Sequence, residues 1–565
     1  MFRSRTSLVL LSGLAAAAVA SAAPRPNIIV IMSDDMGYSD LGCYGAEINT
    51  PHIDGLAANG LRYTQFYNTA RCVPTRAALL TGLYPHQAGL GEMTSDLGQP
   101  GYTGDLARHT VTLAEVLRSA GYRTYMAGKW HVSLNLDHAG DQSSWPMQRG
   151  FDRFYGTIIG AGSFYDPWTL TRGNDPIAPD ADPEYQPDTF YYTHAITDHA
   201  VRYIDDHAAT HADAPFFLYV SHTAPHWPMH ALDEDIAKYR GKYDVGYEAI
   251  RQARFKRMRE LGVIGDDVAL TPAPQAWDDI PEEMRAWEAR CMEVYAAMID
   301  SMDQGIGKII ESLKRHDQFE NTLILFLHDN GGCHEQFGRN PRRNPASGIE
   351  PMQPGEMQTQ MIPLRTRDGQ PILMGPDVMP GPPESYIAYG RNWANVSNTP
   401  LRLYKINNHE GGIASPLVAH WPRGITAKNE LRHNVGHVID LMPTFVELAG
   451  AEYPATFADH TIPPMEGRSL VPGFAKDDPD EARLIIWEHM GNAALRQGNW
   501  KAVRLRQNDG TFPAPWELYN IANDRSESRN LAAEHPEKTA ALAELWEKHA
   551  HRTLIYPFPA NRANW

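Results

Sequence analysis

The feature that most restricts the fold of this chain is a set of short, largely apolar runs, most of them ending in a cluster of polar or charged residues. Residues 27–32, 123–127, 216–220 and 322–327 are such runs, and 417–420 is a fifth candidate. Runs this short, apolar at odd and even positions alike, suit strands covered on both faces, the setting of a parallel sheet. Between them, residues 109–119, 193–207 and 283–315 carry a helical apolar period. Strands alternating with helices predict an α/β fold with a large, mostly parallel sheet flanked by helices. From about residue 473 the pattern changes to runs at 484–489, 494–505 and 516–521, then a helical stretch at 536–549. That predicts a small antiparallel sheet with one helix, so the expected organisation is a large α/β domain over 23–472 and a C-terminal α+β subdomain over 473–565. Residues 336–398, rich in Pro, Gly, Arg and Met, show no periodicity. They are expected to form a loop that shapes a substrate mouth, with Arg339, Arg342 and Arg343 bearing on substrate choice.

Arg3 and Arg5 precede an alanine-rich apolar stretch and the small-x-small sequence Ala20-Ser21-Ala22. This reads as a signal peptide over 1–22, cleaved near Ala22, with export to the periplasm or the medium. The stretch is shorter than the ~20 residues of a bilayer span, and no later one is long enough, so no stable membrane insertion is expected. With 68 acidic residues against 51 basic ones and no basic cluster, a nucleic-acid partner is not expected. Four cysteines without a Cys-x-x-Cys pair exclude a zinc ribbon, a thioredoxin-type site and a disulfide scaffold.

In an open parallel sheet, ligands bind beyond the carboxyl ends of the strands. Here those ends carry Ser33-Asp34-Asp35, Gly128-Lys129-Trp130-His131, Ser221-His222 through Pro225-His226, and His328-Asp329-Asn330-Gly331-Gly332. Taken singly, each has an ordinary reading: an Asp pair caps a helix, Asp-Asn-Gly makes a turn, a histidine bonds within its loop. Their convergence on one edge is what points to chemistry. Successive residues of a strand face opposite ways, so Asp34 and Asp35 can share one ion only if the chain turns there, which Gly37 favours. Asp34, Asp35, Asp329 and Asn330 make a hard, all-oxygen set suited to one Ca²⁺, with Mg²⁺ the second choice.

The most specific run is Cys72-Val73-Pro74-Thr75-Arg76-Ala77-Ala78-Leu79-Leu80-Thr81-Gly82. Pro74 favours a helix start, placing Cys72 at its mouth, where free N–H groups favour an anion, and Arg76 lies one turn along. Cys-x-Pro-x-Arg followed by Ala-Ala-Leu-Leu-Thr-Gly resembles the signature of the type I sulfatases. Blocks at 26–35, 50–54, 128–131, 329–332 and 404–412 resemble the same family, and 398–422 resembles bacterial arylsulfatases most. Thr75 stands where serine is commoner, and Val132-Ser133 where Leu-Gly is common.

The resemblance implies an alkaline-phosphatase-like fold and hydrolysis of sulfate monoesters, aryl or carbohydrate. It implies that a maturation enzyme converts Cys72 to formylglycine, which joins Asp34, Asp35, Asp329 and Asn330 around calcium. Arg76 would steady the formylglycine hydrate, and His131 would contact it as a base. Lys129 would bridge hydrate and sulfate, while His222, preferred over His226 and His230, and Lys405 would bind sulfate near the leaving oxygen. The alternatives are a phosphonate or phosphate ester hydrolase of the same superfamily and, from another class, a non-catalytic calcium-dependent glycan-binding protein. Buried charge that serves no chemistry is costly to keep, which disfavours the second.

Overall fold

Every residue from Ile28 to Ser33 is buried, because the strand they form lies in the middle of a wide sheet. The computed structural model describes residues 25–343, 350–478, 482–506 and 514–560, so the signal-peptide segment lies outside the described residues. Along the chain the strands are β1 (Asn27–Ser33), β2 (Leu61–Tyr67), β3 (Arg123–Gly128), β4 (Arg153–Thr157), β5 (Leu170–Arg172), β6 (Asp175–Pro176), β7 (Phe216–Ser221) and β8 (Thr322–His328). A two-strand ribbon, β9 (Arg342–Arg343) and β10 (Leu373–Met374), precedes β11 (Ala414–His420), β12 (Glu430–Arg432) and β13 (Gly436–His437). The main sheet has the order β12-β2-β11-β8-β1-β7-β3-β4-β5-β6, with β13 beside β2.

The four apolar runs form the parallel centre of this sheet, with Ile28 opposite Phe217 on one side and Leu323 on the other. The fifth run departs from expectation. β11 is antiparallel to β8, Leu417 facing Leu327 and His420 facing Ile324. The sheet is therefore mixed, since apolarity reports burial and carries no direction. β2 gives no apolar run at all: its Arg62 is buried because Cys43 O and the Asn429 side chain accept its guanidinium at 2.9 and 3.1 Å.

The expected helices are present with shifted ends. One starts at Leu113, because Thr112 and Glu115 cap it reciprocally. The others run over Tyr192–Thr210 and Glu282–Arg315 and pack on each other. After a short ribbon of β14 (Thr456–Phe457) and β15 (His460–Thr461), a separate antiparallel sheet comprises β16 (Leu484–His489), β17 (Asn492–Gln497), β18 (Trp500–Arg504) and β19 (Glu517–Asn520). The expected single run over 494–505 is two strands, broken where Gly498 takes a φ of +57°. The helix Pro536–Arg552 covers this sheet, and its buried Trp546 donates to Trp487 O at 3.0 Å.

The small sheet is fixed to the large one by buried charge. Lys501 pairs with Glu410 at 2.9 Å and with Glu527 at 2.8 Å, and Trp487 donates to Asn68 O at 2.8 Å, four residues before Cys72. No helix among the described residues is long and apolar enough to cross a membrane.

Candidate active site

The carboxyl ends of β1, β3, β7 and β8 lie side by side and hand their residues to one place. β3 ends on Gly128 at φ +115°, where a Cβ would meet Ser221 O at 2.0 Å, so Lys129 leaves the sheet tight against β7. β1 leads into Asp34, whose N–H bonds Ala224 O at 3.1 Å. The turn that lets two adjacent carboxylates share a side is made by Asp35 itself, at φ +62°. Gly37 does not make it. Its role is close approach, since a Cβ there would come within 2.4 Å of the Ser397 backbone.

Asp34, Asp35, Asp329 and Asn330 are all buried, and Asp35 links two of the others: its N–H donates to Asp329 Oδ1 at 3.3 Å, and Asn330 Nδ2 donates to its Oδ1 at 2.7 Å. Three cations balance the three carboxylates. Lys129 pairs with Asp34, Lys405 reaches both Asp35 oxygens at 2.7 and 2.8 Å, and Arg76 bridges Asp34 at 3.4 Å and Asp329 at 2.8 Å. Burial alone would raise the Asp34 and Asp35 carboxyls, but the cations and His226 outweigh it and hold both below the usual range. At Asp329 burial wins, helped by repulsion from Asp34, and its carboxyl is pushed up to about 7.

Two buried oxygens in this cluster, Asp34 Oδ1 and Asn330 Oδ1, have no hydrogen-bond partner. Leaving such atoms unpaired is costly unless something else occupies them, and hard oxygens among buried carboxylates fit a hard cation. Carboxylate oxygens of Asp34 and Asp35 and a ring nitrogen of His226 also lie within 4.8 Å of one another. His226 is the softer donor, and it is already engaged with a lysine.

Cys72 opens the helix Cys72–Thr81, preceded by an extended Arg71. Arg76 is one turn on, its guanidinium donating to Lys129 O and to Ser221. Thr75 braces the entry loop: its hydroxyl accepts from Thr69 N–H at 3.0 Å. Burial raises the Cys72 thiol although Lys129 and Lys405 pull the other way, so the unmodified thiol is a poor nucleophile. The four cysteines are unpaired.

The histidines separate cleanly. His131 takes φ +55°, its ring lies on Gly160, and its Nδ1 is buried without a partner. Burial, then Lys129 and Arg76, keep it neutral. His226, not His222, meets the charged cluster. Its Nδ1 donates to Trp227 O at 2.7 Å, which leaves Nε2 free to accept from Lys405 at 3.4 Å, 3.3 Å from Asp35. Burial lowers His226 against the pull of Asp35. His222 is set apart: both ring nitrogens lack partners, and burial alone pushes it down to about 3. His230 is consumed by Ser385 O and Phe164 N–H.

Sequence reasoning passed over Glu335, which lies 3.9 Å from Lys405 and 3.5 Å from Arg71 and accepts from Trp227 Nε1 at 2.7 Å. Its signal was its place five residues after Asn330. Arg339, expected at the mouth, pairs with Glu288 and lies over the Trp287 ring at 4.5 Å.

Comparison with known proteins gives one consistent result. A family model described as Sulfatase matches residues 26–451. An uncharacterized sulfatase of Schizosaccharomyces pombe is 32% identical over 95% of each chain. The arylsulfatase of Klebsiella aerogenes is 34% identical over 81% of this chain and 94% of its own. Among solved structures, Ps i-CgsB in complex with k-i-k-neocarrahexaose superposes with a TM-score of 0.63 at 24% identity, covering 93% of both chains.

Proposed function

The chain belongs to the sulfatase family and is a sulfuric ester hydrolase, and from that premise we propose that it cleaves sulfate monoesters with a nucleophile made from Cys72 beside one bound calcium ion. The observation that carries the metal is the pair of unpartnered oxygens, Asp34 Oδ1 and Asn330 Oδ1, among buried carboxylates at the mouth of the Cys72 helix. Asp34, Asp35, Asp329 and Asn330 would hold the ion, which when bound draws negative charge off sulfate oxygens as a Lewis acid. A maturation enzyme would oxidise Cys72 to formylglycine, whose hydrate supplies the attacking hydroxyl and a second hydroxyl for release of sulfate.

The remaining work falls to residues already in place. Lys129 and Lys405 neutralise the charge that grows on the sulfate group as the ester breaks. Arg76, clamped between Asp34 and Asp329, keeps both carboxylates oriented. Neutral His131 is the candidate base at the nucleophile. Lys405 holds a proton that burial alone would strip from it, because Asp35 stabilises the ammonium, and it shares a hydrogen bond with His226. Lys405 would protonate the leaving oxygen, with His226 taking the place expected for His222 and positioning the ammonium through Nε2.

Residues 23–472 would form the catalytic domain and 473–565 a subdomain docked on it, with residues 1–22 directing export. The test is mass spectrometry of the peptide containing Cys72 from active enzyme, with side-by-side kinetics on a sulfate ester and its phosphate and phosphonate analogues. Intact cysteine in fully active protein would end the mechanism, and a phosphonate preferred over sulfate would move the assignment to the phosphonate hydrolases.

A further inference from the structure

The loop that leaves β8 carries one more carboxylate, Glu335, and it is tied to both members of the leaving-group pair. Glu335 lies 3.9 Å from Lys405 Nζ and accepts from Trp227 Nε1 at 2.7 Å. Trp227 directly follows His226, and its carbonyl accepts from His226 Nδ1 at 2.7 Å. The Trp227 indole is gripped twice from one segment, by Glu335 at the nitrogen and by the Phe337 ring stacked on it at 4.5 Å. That segment is itself fixed: Phe337 O accepts from Ala388 N–H at 2.8 Å, and Arg339 pairs with Glu288. Glu335 Oε1 lies 3.5 Å from Arg71, the residue before Cys72, and Cys333 Sγ donates to Oε2 at 3.4 Å. Burial alone would raise the Glu335 carboxyl, but Lys405 and Arg71 outweigh it and hold it down at about 2, so it is a carboxylate.

We propose that Glu335 is a positioning residue for the leaving-group step, holding the Lys405 ammonium and the His226 ring together where the ester oxygen is protonated. The proposal rests on the reading of Lys405 as the acid. Its Nζ proton passes to the ester oxygen as the S–O bond breaks, and that oxygen keeps the bonding pair. Both Glu335 oxygens face groups of the protein, so Glu335 acts through its neighbours. An ammonium on a flexible four-carbon stem keeps its aim only when held from more than one direction. Asp35, the closer partner of Lys405, is also a proposed calcium ligand, whereas Glu335 gives the ammonium a second carboxylate outside the calcium set. His226 gains from the same side chain, because Glu335 anchors the residue that orients its Nδ1. A displacement of about 1 Å in such a pair is worth about 10²-fold in rate.

The experiment uses the matured, calcium-loaded enzyme and reads kcat/KM, which reports S–O cleavage. The substrates are phenyl sulfate and 4-nitrophenyl sulfate, whose phenolate leaves with little need of a proton. Lys405→Ala sets the reference, with a greater loss on phenyl sulfate than on the nitro ester. Glu335→Gln keeps the shape and an oxygen for Trp227 but removes the charge, while Trp227→Phe keeps the stacking and removes the N–H. Glu335→Gln should cost about 10²-fold on phenyl sulfate and about threefold on the nitro ester. Trp227→Phe should show the same bias in weaker form, about tenfold against about twofold, and both should keep calcium per chain and melting temperature. If Lys405→Ala shows its bias but Glu335→Gln loses equally on the two esters, or loses nothing, Glu335 is structural only and the proposal is overturned while the acid stands. Equal losses in Lys405→Ala itself would remove Lys405 as the acid and the role of Glu335 with it.

Discussion

The two edges of the central sheet are made from the same strands and differ in what their buried oxygens have left to bind. At the amino edge lies a cavity of about 640 Å³, lined by residues such as His52, Leu56, Phe319 and His420. In an adjoining hollow is the buried Asp303, whose carboxyl burial pushes up to about 7. At the carboxyl edge Asp329 is pushed to about the same value, in a space filled by three carboxylates and three cations. A shifted carboxyl therefore fails to tell the edges apart. What separates the two groups of carboxyls is unspent valence on their oxygens. Asp303 accepts His52 N–H at 3.0 Å and Ile53 N–H at 2.8 Å, whereas Asp34 Oδ1 and Asn330 Oδ1 accept nothing. A carboxylate with its bonds filled, such as Asp303, is structure; a carboxylate or amide oxygen left empty among paired charges fits a cation.

The sharpest way to break this contrast is at the nucleophile. Cys72→Ser, in a host that leaves serine unmodified, should lower turnover about 10⁴-fold or more, whereas His52→Ala at the amino edge should leave it within about twofold. The serine oxygen can still attack once, so intact-protein mass after excess substrate should show one sulfate per chain. Sustained turnover by the serine variant would show that Cys72 conversion is not what makes the edge active.

Next in size is the metal. Asp329→Ala, or exhaustive chelation of the wild type, should cost about 10³-fold in kcat and bring calcium per chain from one toward zero. Asp303→Ala should keep both calcium and kcat, whatever it does to stability. Equal calcium loss in the two variants, read by atomic absorption, would mean that unspent valence does not locate the ion.

Much of the carboxyl edge is legible in the sequence, because four apolar runs each pass directly into their polar residues. Cys72, Pro74 and Arg76 add a helix start that the structure reproduces. Other features leave no such trace. The direction of β11 is set by its connection to β8 and β2, which apolarity does not report. The turn at Asp35 uses a φ that aspartate adopts under tertiary constraint, so glycine was the more visible candidate. The histidine was ambiguous because β7 ends at Ser221, and beyond that point alternation no longer says which side chain faces the cluster. His226→Ala should therefore lower kcat about 10²-fold, most steeply for poor leaving groups, while His222→Ala should change it less than about threefold. The reverse pattern would restore His222 to the site.

The smallest expected effect tests the amino edge by pH. Asp303 titrates at about 7 in the fold, above the ~4 of an unfolded chain, so between those values the folded protein binds the extra proton. Its contribution to stability is thus fully present below about pH 4 and is lost as pH rises through 7. A shift of about 3 units corresponds to at most ~4 kcal/mol, and relaxation around the ionised group will reduce it. Asp303→Asn keeps an oxygen for one of the two N–H groups and removes the titration, so the wild type should hold its largest advantage near pH 5 and lose most of it by pH 8. Urea unfolding at the two pH values checks this. Calcium should not alter that slope, because the ion sits at the other edge, whereas any slope from Asp329 should vanish once calcium holds its carboxylate ionised. If the Asn variant instead falls further behind as pH rises, the two backbone N–H bonds outweigh burial, and Asp303 is an ionised cap on the helix Pro51–Ala58.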